Sequence, residues 1–187
     1  MRAALTAMML TIATQAWAEC GNLCDWGWWE TATEADVQAE LDAGADARAR
    51  DDYGNTPLNW AAQLSTPATI QALLAAGADL MARNKDGRTP LHRAAKSDTP
   101  ANIQALLDAG ADVMARKKDG RTPLHSAVEC FSWESFCDVG RIQVLLHAGA
   151  DAKAKNKEGK TPWDLVQKNE RLKGTKGYWA LNDAQYN

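Results

Sequence analysis

The chain has 187 residues, of which 45% are hydrophobic and 24% are charged, a balance typical of one folded domain and unlike that of a disordered chain. Its formal net charge is -3, which argues against a general nucleic-acid-binding protein. No apolar run reaches the roughly 20 residues that a membrane-spanning helix needs, so we expect no membrane insertion.

The first 18 residues have the features of a secretory signal peptide. Arg2 gives a positive start, a largely apolar run follows, and Ala16-Trp17-Ala18 places small residues where a signal peptidase reads them. We predict cleavage after Ala18, which makes the protein periplasmic or secreted. Cys20 follows closely, but Glu19 stands where a lipidation signal needs a small residue, so we expect no lipid anchor.

Two series of short motifs recur along the rest of the chain with the same spacings of 33, 33 and 39 residues. The first series consists of Thr-Pro steps that begin at Thr56, Thr89, Thr122 and Thr161. The second consists of Gly-Ala-Asp triplets that begin at Gly44, Gly77, Gly110 and Gly149. Repetition at this period predicts a stack of similar supersecondary units, with extra residues inserted between Ala127 and Ile142 of the fourth unit.

Each unit carries residues that start and stop helices. Thr can cap a helix, and Pro fits its first turn, where its missing N–H costs nothing. A second Thr-Pro step, as at Thr66 and Thr99, predicts a second helix that ends at the glycine of Gly-Ala-Asp. The first unit starts this second helix with Thr33 to Asp36, a capping-box pattern.

These units resemble the ankyrin-repeat family. Its Thr-Pro-Leu-His-x-Ala signature is complete at 89–94 and 122–127, whereas Asn59 and Asp164 replace the signature His and Trp163 replaces the Leu. The resemblance implies an all-α ankyrin-repeat solenoid of four and a half to five helix-turn-helix repeats with β-turn or hairpin connections. We expect a domain over 19–187, with units at about 20–51 (a degenerate N-cap), 52–84, 85–117, 118–156 (with the inserted loop) and 157–187 (the C-cap).

The histidines could be catalytic bases or metal ligands, but the resemblance implies a structural role. In the family, the residues that match His92 and His125 bond to the Thr or the backbone of their own turn. Neither has a second His or a Cys at ligand spacing. We therefore predict no enzyme activity, no metal and no cofactor.

Four cysteines in an exported chain suggest disulfides. Cys20 and Cys24 lie in the first unit, whereas Cys130 and Cys137 lie in the fourth, three packing steps of about 8 to 10 Å away. Because a disulfide needs Cα atoms within about 7 Å, we predict the pairs Cys20–Cys24 and Cys130–Cys137. Trp133, between the second pair, belongs to a loop that either binds a partner or packs onto the neighbouring helices.

Cations recur at the predicted turn tips of this otherwise acidic chain. Ankyrin proteins commonly bind partners through these tips and the adjoining first helices. We predict partner contacts at Tyr53, Trp60, Arg83, Lys85, Arg88, Arg93, Arg116, Lys118, Arg121 and Lys157, and at Trp133 in the inserted loop. The alternative is that the cations only solvate this edge, because Asp-Gly-Arg is ordinary turn usage in the family.

Three functions fit these features. The first is an exported, monomeric adaptor or scaffold that binds a protein partner with an acidic patch. The second is a secreted effector acting on host proteins, which differs from the first only in location. The third is a glycan binder or enzyme at the Trp-rich N-terminal end, but we expect Trp26, Trp28 and Trp29 to cover the end of the stack instead.

Overall fold

A computed structural model describes residues 21–97, 99–129, 140–170 and 172–186. These residues form ten α-helices and no strand. In chain order the helices are α1 (Trp26–Trp29), α2 (Glu34–Asp42), α3 (Pro57–Leu64), α4 (Pro67–Ala75), α5 (Pro90–Ala94), α6 (Pro100–Asp108), α7 (Pro123–Ala127), α8 (Gly140–His147), α9 (Pro162–Val166) and α10 (Lys176–Ala184). A 3-10 turn at Gly21–Cys24 precedes them. The predicted all-helical solenoid is confirmed.

The Thr-Pro steps start the helices as predicted. Helices α3, α5, α7 and α9 each begin at a Pro that follows a capping Thr, and each has a capping box with the residue three positions after that Thr. The capping box of α2 forms between Thr33 and Asp36. Local sequence therefore sets where each helix begins, because the caps pair backbone N–H groups that the helix leaves open.

The apolar side chains of neighbouring units interlock along the stack. The first helices of the pairs, α3, α5, α7 and α9, pack in sequence, and the second helices α2, α4, α6, α8 and α10 form a parallel row. We call α3, α5, α7 and α9 the inner helices. Matching positions are fully buried in each unit, at Leu58, Leu91 and Leu124 and at Ile70, Ile103 and Ile142. No unit could bury this surface by itself, so the stack stabilises the fold as a whole.

Glycines at two kinds of turn give the stack its period. The backbone of Gly110 ends α6 with φ +94, and a Cβ there would meet open space. Gly87, at a turn tip, has φ +78, and a Cβ would lie 3.0 Å from the backbone nitrogen of Lys118 in the next tip. Successive turn tips are therefore in close contact, and side chains from these tips lie beside the inner helices.

Aromatic residues cover both ends of the stack. Trp29 is buried and its Nε1 donates to the carbonyl of Leu23 at 2.9 Å, while Trp28 packs edge-on against it. The expectation that the N-terminal tryptophans cover this end is confirmed for these two, but Trp26 is 54% exposed. At the other end, the ring of Tyr178 in α10 packs on Trp163 with 4.8 Å between centroids.

Several predictions concern residues outside the described ranges. They are the signal peptide with its cleavage site after Ala18, and Trp133 in the inserted loop. Cys24 is disulfide-bonded, but its candidate partners Cys20, Cys130 and Cys137 also lie outside those ranges, so both pairings stay predictions. In the described part of the chain, each helix is too short or too polar to cross a membrane.

Candidate functional site: the face of the turn tips and inner helices

Three arginines at matching positions bind the backbone of the next repeat. Arg50 donates to the carbonyl oxygens of Gly54 at 2.9 Å and of Arg83 at 2.8 Å. Arg83 donates to Gly87 at 3.2 Å and to Arg116 at 2.7 Å, and Arg116 donates to the carbonyl of Lys155. We call Arg50, Arg83 and Arg116 the arginine ladder. Its guanidinium groups are hydrogen-bonded within the protein, which gives them a structural role.

The two signature histidines connect neighbouring repeats in a similar way. Nδ1 of His92 accepts from the backbone N–H of Thr89 at 3.3 Å and lies 2.9 Å from its hydroxyl. Its Nε2 lies 3.1 Å from the carbonyl oxygen of Arg121 in the next repeat and donates to it. His125 repeats this pattern with Thr122 and Lys160. Burial, with the nearby Lys117 and arginines, lowers the pKa of His92 to about 4, so its ring is neutral.

The turn tips form an exposed edge of the stack. Backbone N–H groups of Lys85, Lys118 and Lys157 donate to carbonyls of the preceding tips at 2.9 to 3.0 Å. The Nζ of Lys85 also donates to the carbonyl of Asp52 at 2.6 Å. Tyr53 is 73% exposed at the first of these tips. Among the predicted contacts, Tyr53, Lys118 and Lys157 therefore present the most available side chains on this edge.

The side chains of Trp60 and Arg93 pack against each other on the inner helices. The guanidinium carbon of Arg93 lies 4.5 Å from the centroid of the Trp60 ring, a cation–π contact. Arg93 also donates to Gln63 at 2.9 Å and Asn55 at 2.8 Å, and Nε1 of Trp60 donates to Asp51 at 3.1 Å. As a result only 7% of Trp60 is exposed. Its ring, one of the predicted partner contacts, therefore offers a partner little surface.

Beyond Trp60, the face formed by the turn tips and the inner helices carries mostly cations. Glu129, with a side chain only 10% exposed, lies 3.0 Å from Nζ of Lys96 and pairs with the guanidinium of Arg121. Arg88 pairs with Asp86 at 3.1 Å. We call Arg88, Arg93, Lys96, Lys117 and Arg121 the basic groove. Its cations come from the inner helix α5, from the turn that follows it at Lys96, and from the turn tips before α5 and α7.

The cations of the basic groove act on one another. Burial lowers the pKa of Arg93 to about 10, and the charge of Arg88 adds to this effect. Burial likewise lowers the pKa of Lys96, opposed by Glu129 and assisted by Arg88 and Lys117. Both shifts show positive charge held in partly desolvated surroundings, where an added anion would be stabilised.

Lys117 is the cation of the basic groove that the sequence prediction missed. Its matching positions are Asp51, Asn84 and Asn156, whose side-chain oxygens accept from two backbone N–H groups of their own turn. Lys117 cannot accept, and its Nζ instead pairs with Asp119 at 2.8 Å with a side chain 7% exposed. Comparing the four turns position by position would reveal this difference, since a buried Lys replaces a turn-forming acceptor.

The structure thus separates the predicted contact residues into groups. Arg88, Arg93 and Arg121 lie in one groove with Lys96 of the same inner-helix surface and with the unpredicted Lys117 and Glu129. Arg83 and Arg116 belong to the arginine ladder. A cleft of about 210 Å³ lies beside the groove, lined by Asp86, Arg88, Lys117, Lys118 and Asp119. In the described ranges, no group of His, Cys, Asp and Glu is arranged to hold a metal ion.

The comparison with known families agrees with this architecture. The family model for ankyrin repeats (3 copies) matches residues 32–117 and 67–156, which together cover well over half of the chain. No match is found among curated proteins.

Proposed function

The chain belongs to the ankyrin-repeat family, and on that premise we propose that it is an exported adaptor that binds an acidic segment of a protein partner along the basic groove. Ankyrin repeats are generally protein–protein interaction modules. The proposed role is one of binding and not of catalysis. The segment 1–18, with its apolar run and Ala16-Trp17-Ala18, supports the export of the protein.

The basic groove is the observation that carries this proposal. Among the described residues, five cations lie on this face beside four carboxylates, those of Asp51, Asp86, Asp119 and Glu129, in a chain whose net charge is -3. Positive charge is thus concentrated where the family places partners. An acidic segment would be attracted to this face and oriented by it, which increases the association rate at low salt.

Tyr53 would add apolar contact area beside the groove. Its ring is 73% exposed on the turn-tip edge, and aromatic residues are frequent anchors of protein interfaces. The partner would therefore lie across the tips, with its acidic residues toward the inner helices. The arginine ladder and Trp60 hold the shape of this surface from within.

Capture experiments with matched variants test the proposal. Tagged protein is used to capture partners from periplasmic extract, and Tyr53→Ala and Arg88→Gln are compared with Trp26→Ala, which removes an exposed aromatic at the N-terminal end. We expect the first two variants to lose the partner that wild type and Trp26→Ala retain. Loss in Trp26→Ala alone would place binding at the Trp-rich end and contradict the proposal.

Cell fractionation tests the export that the proposal assumes. We expect the protein in the periplasm with an intact mass that begins at Glu19. Recovery from the medium would favour the secreted effector. Protein that keeps residues 1–18 in the cytoplasm would contradict export altogether.

A further inference from the structure

The fourth repeat shows how this face holds a carboxylate. Glu129 follows Arg121 by eight positions and lies between that arginine and Lys96 of the preceding repeat. Its side chain is 10% exposed, so most of its hydration has been replaced by two cations. Arg121 and Lys96 thus form a binding site for a carboxylate, and in this repeat the protein's own Glu129 occupies it.

The third repeat has the same arginine but lacks the carboxylate. Arg88 matches Arg121, and the residue eight positions after Arg88 is Lys96, a second cation. Arg88 pairs with Asp86, whose side chain is 63% exposed. The Nε of Arg88 is buried and has no hydrogen-bond partner among the described residues, and the same holds for the Nε of Arg121, so the two repeats differ in the carboxylate and not in this donor. A buried donor without an acceptor costs free energy that an incoming acceptor would recover.

A second cation, Lys117, lines the cleft together with Arg88. Its ammonium group carries three hydrogen-bond donors. Within the described ranges, Asp119 is the side chain that pairs with this ammonium, and Asp119 is itself 46% exposed. Both acidic residues of the cleft can therefore turn toward solvent, while Arg88 and Lys117 stay partly or largely buried.

We propose that this cleft binds a glutamate or aspartate side chain of the partner's acidic segment, with Arg88 and Lys117 donating to its carboxylate oxygens. This inference rests on the proposed function and names the chemical group that the basic groove recognises. The bound carboxylate would take the place in the third repeat that Glu129 holds in the fourth. It would also reduce the repulsion among Arg88, Arg93 and Lys96.

Lys117→Asn is the most informative variant. Asn is the residue at the matching positions Asn84 and Asn156, where its side-chain oxygen accepts from two turn N–H groups, so the turn should form at least as well. Arg88→Gln is the second variant, since Gln keeps a polar side chain while the positive charge is lost. Lys153→Asn is the control, because it removes one cation from an exposed position away from the groove.

The binding assay uses a labelled peptide of alternating Glu and Ser, with a Gln and Ser peptide of the same length as reference. Fluorescence anisotropy with the purified protein should show binding of the Glu peptide that weakens as salt increases. We expect Lys117→Asn and Arg88→Gln each to weaken it by about tenfold, and Lys153→Asn by less than about twofold. Thermal melts establish that each variant is folded, and if Lys117→Asn proves unfolded, Arg88→Gln and Lys153→Asn decide the result.

Three results would overturn the inference. The first is equal binding of the Glu peptide by wild type, Lys117→Asn and Arg88→Gln. The second is equal binding of the Glu and Gln peptides. The third is inorganic phosphate competing as well as the Glu peptide. If partner capture still depends on Tyr53 while the Glu peptide fails to bind, the carboxylate site is wrong and the adaptor proposal stands. If the peptide binds through this cleft but no partner is captured through this face, the adaptor proposal is the one that fails.

Discussion

The arginine ladder and the basic groove are both rows of cations on one side of the stack, yet they differ in what their charges contact. Arg50, Arg83 and Arg116 recur at matching positions, and each donates to a backbone carbonyl of the next repeat. Lys117, by contrast, stands at a position where the other repeats carry Asp51, Asn84 and Asn156. A side chain that recurs with the period of the repeat can make the same structural contact in every unit. A side chain that appears in one unit only makes no such recurring contact, which makes it a candidate for function.

The chemistry of the side chains fits this division. The guanidinium of Arg has several donors in one plane, so it can reach a carbonyl of its own turn and one of the next repeat together. The ammonium of Lys117 is a compact charge that pairs with Asp119 at the cleft that Lys117 lines. The predictions below test whether residues that bind the backbone of their own turn or of the next repeat govern stability, and whether Lys117, which lines the cleft, governs binding.

The largest expected effect concerns His92, a recurring residue. Its pKa falls from the ordinary 6.5 to about 4 in the fold, so its contribution to stability is complete above pH 6.5 and is lost as the pH falls toward 4. The loss should reach about 3 kcal/mol in the free energy of unfolding, because each pKa unit corresponds to about 1.4 kcal/mol. Urea unfolding at pH 7 and pH 4 measures it.

His92→Asn is the matched control for this pH dependence. Asn59 already occupies the equivalent position, and its Oδ1 accepts from the backbone N–H of Thr56 at 2.9 Å. The variant should therefore fold, with less stability lost between pH 7 and pH 4 than wild type loses. The same loss in both proteins would show that His92 is not the source.

A second, smaller effect separates the two kinds of glycine turn. Gly87→Ala should lower the free energy of unfolding by about 2 kcal/mol, because it adds a contact at 3.0 Å with a backbone nitrogen to the strain of positive φ. Gly110→Ala should cost about 1 kcal/mol, since its Cβ would meet open space and only the φ strain remains. Chemical denaturation of both variants checks the order, and equal losses would contradict the close contact of successive tips.

Arg83→Gln tests the arginine ladder. Losing its donations to the carbonyls of Gly87 and Arg116 should reduce the free energy of unfolding by about 1 kcal/mol, the usual worth of such exposed charge-assisted bonds. Denaturation at low and high salt provides the measurement. No change in stability would mean that this arginine is free for a partner, as the sequence first suggests.

Lys117→Asn should change stability least. The variant loses the ion pair with Asp119 but gains the turn hydrogen bonds that Asn84 and Asn156 make, so we expect a change within about 0.5 kcal/mol. A thermal melt beside wild type measures this. A loss as large as that of Gly87→Ala would make Lys117 a structural residue.

The sequence predicts features that depend on local contacts. The Thr-Pro steps, the capping box at Thr33 and the glycine turns involve residues within four positions of one another, and the structure contains each of them. Because the same local rules act in every repeat, the fold follows from the period once the units are recognised.

The local sequence pattern does not predict the side-chain contacts between neighbouring repeats. Asn102 donates to the carbonyl of Ser65 at 2.9 Å and so caps an inner helix of the preceding repeat, which no local pattern indicates. Trp60 looks like an exposed anchor in the sequence, but Arg93 of the next repeat covers it. The burial of Lys117 likewise depends on how neighbouring turns face each other. Such contacts join residues about 30 positions apart, where side-chain direction decides the outcome.

Arg83→Gln and Lys117→Asn, measured side by side for stability and for binding of the Glu and Ser peptide, test the central claim most directly. Both variants remove one positive charge from the same side of the stack. We predict that Arg83→Gln loses about 1 kcal/mol of stability and keeps its affinity, whereas Lys117→Asn keeps its stability and binds the peptide about tenfold more weakly. Equal losses of affinity in the two variants would contradict the account, since the groove would then act only through its total charge.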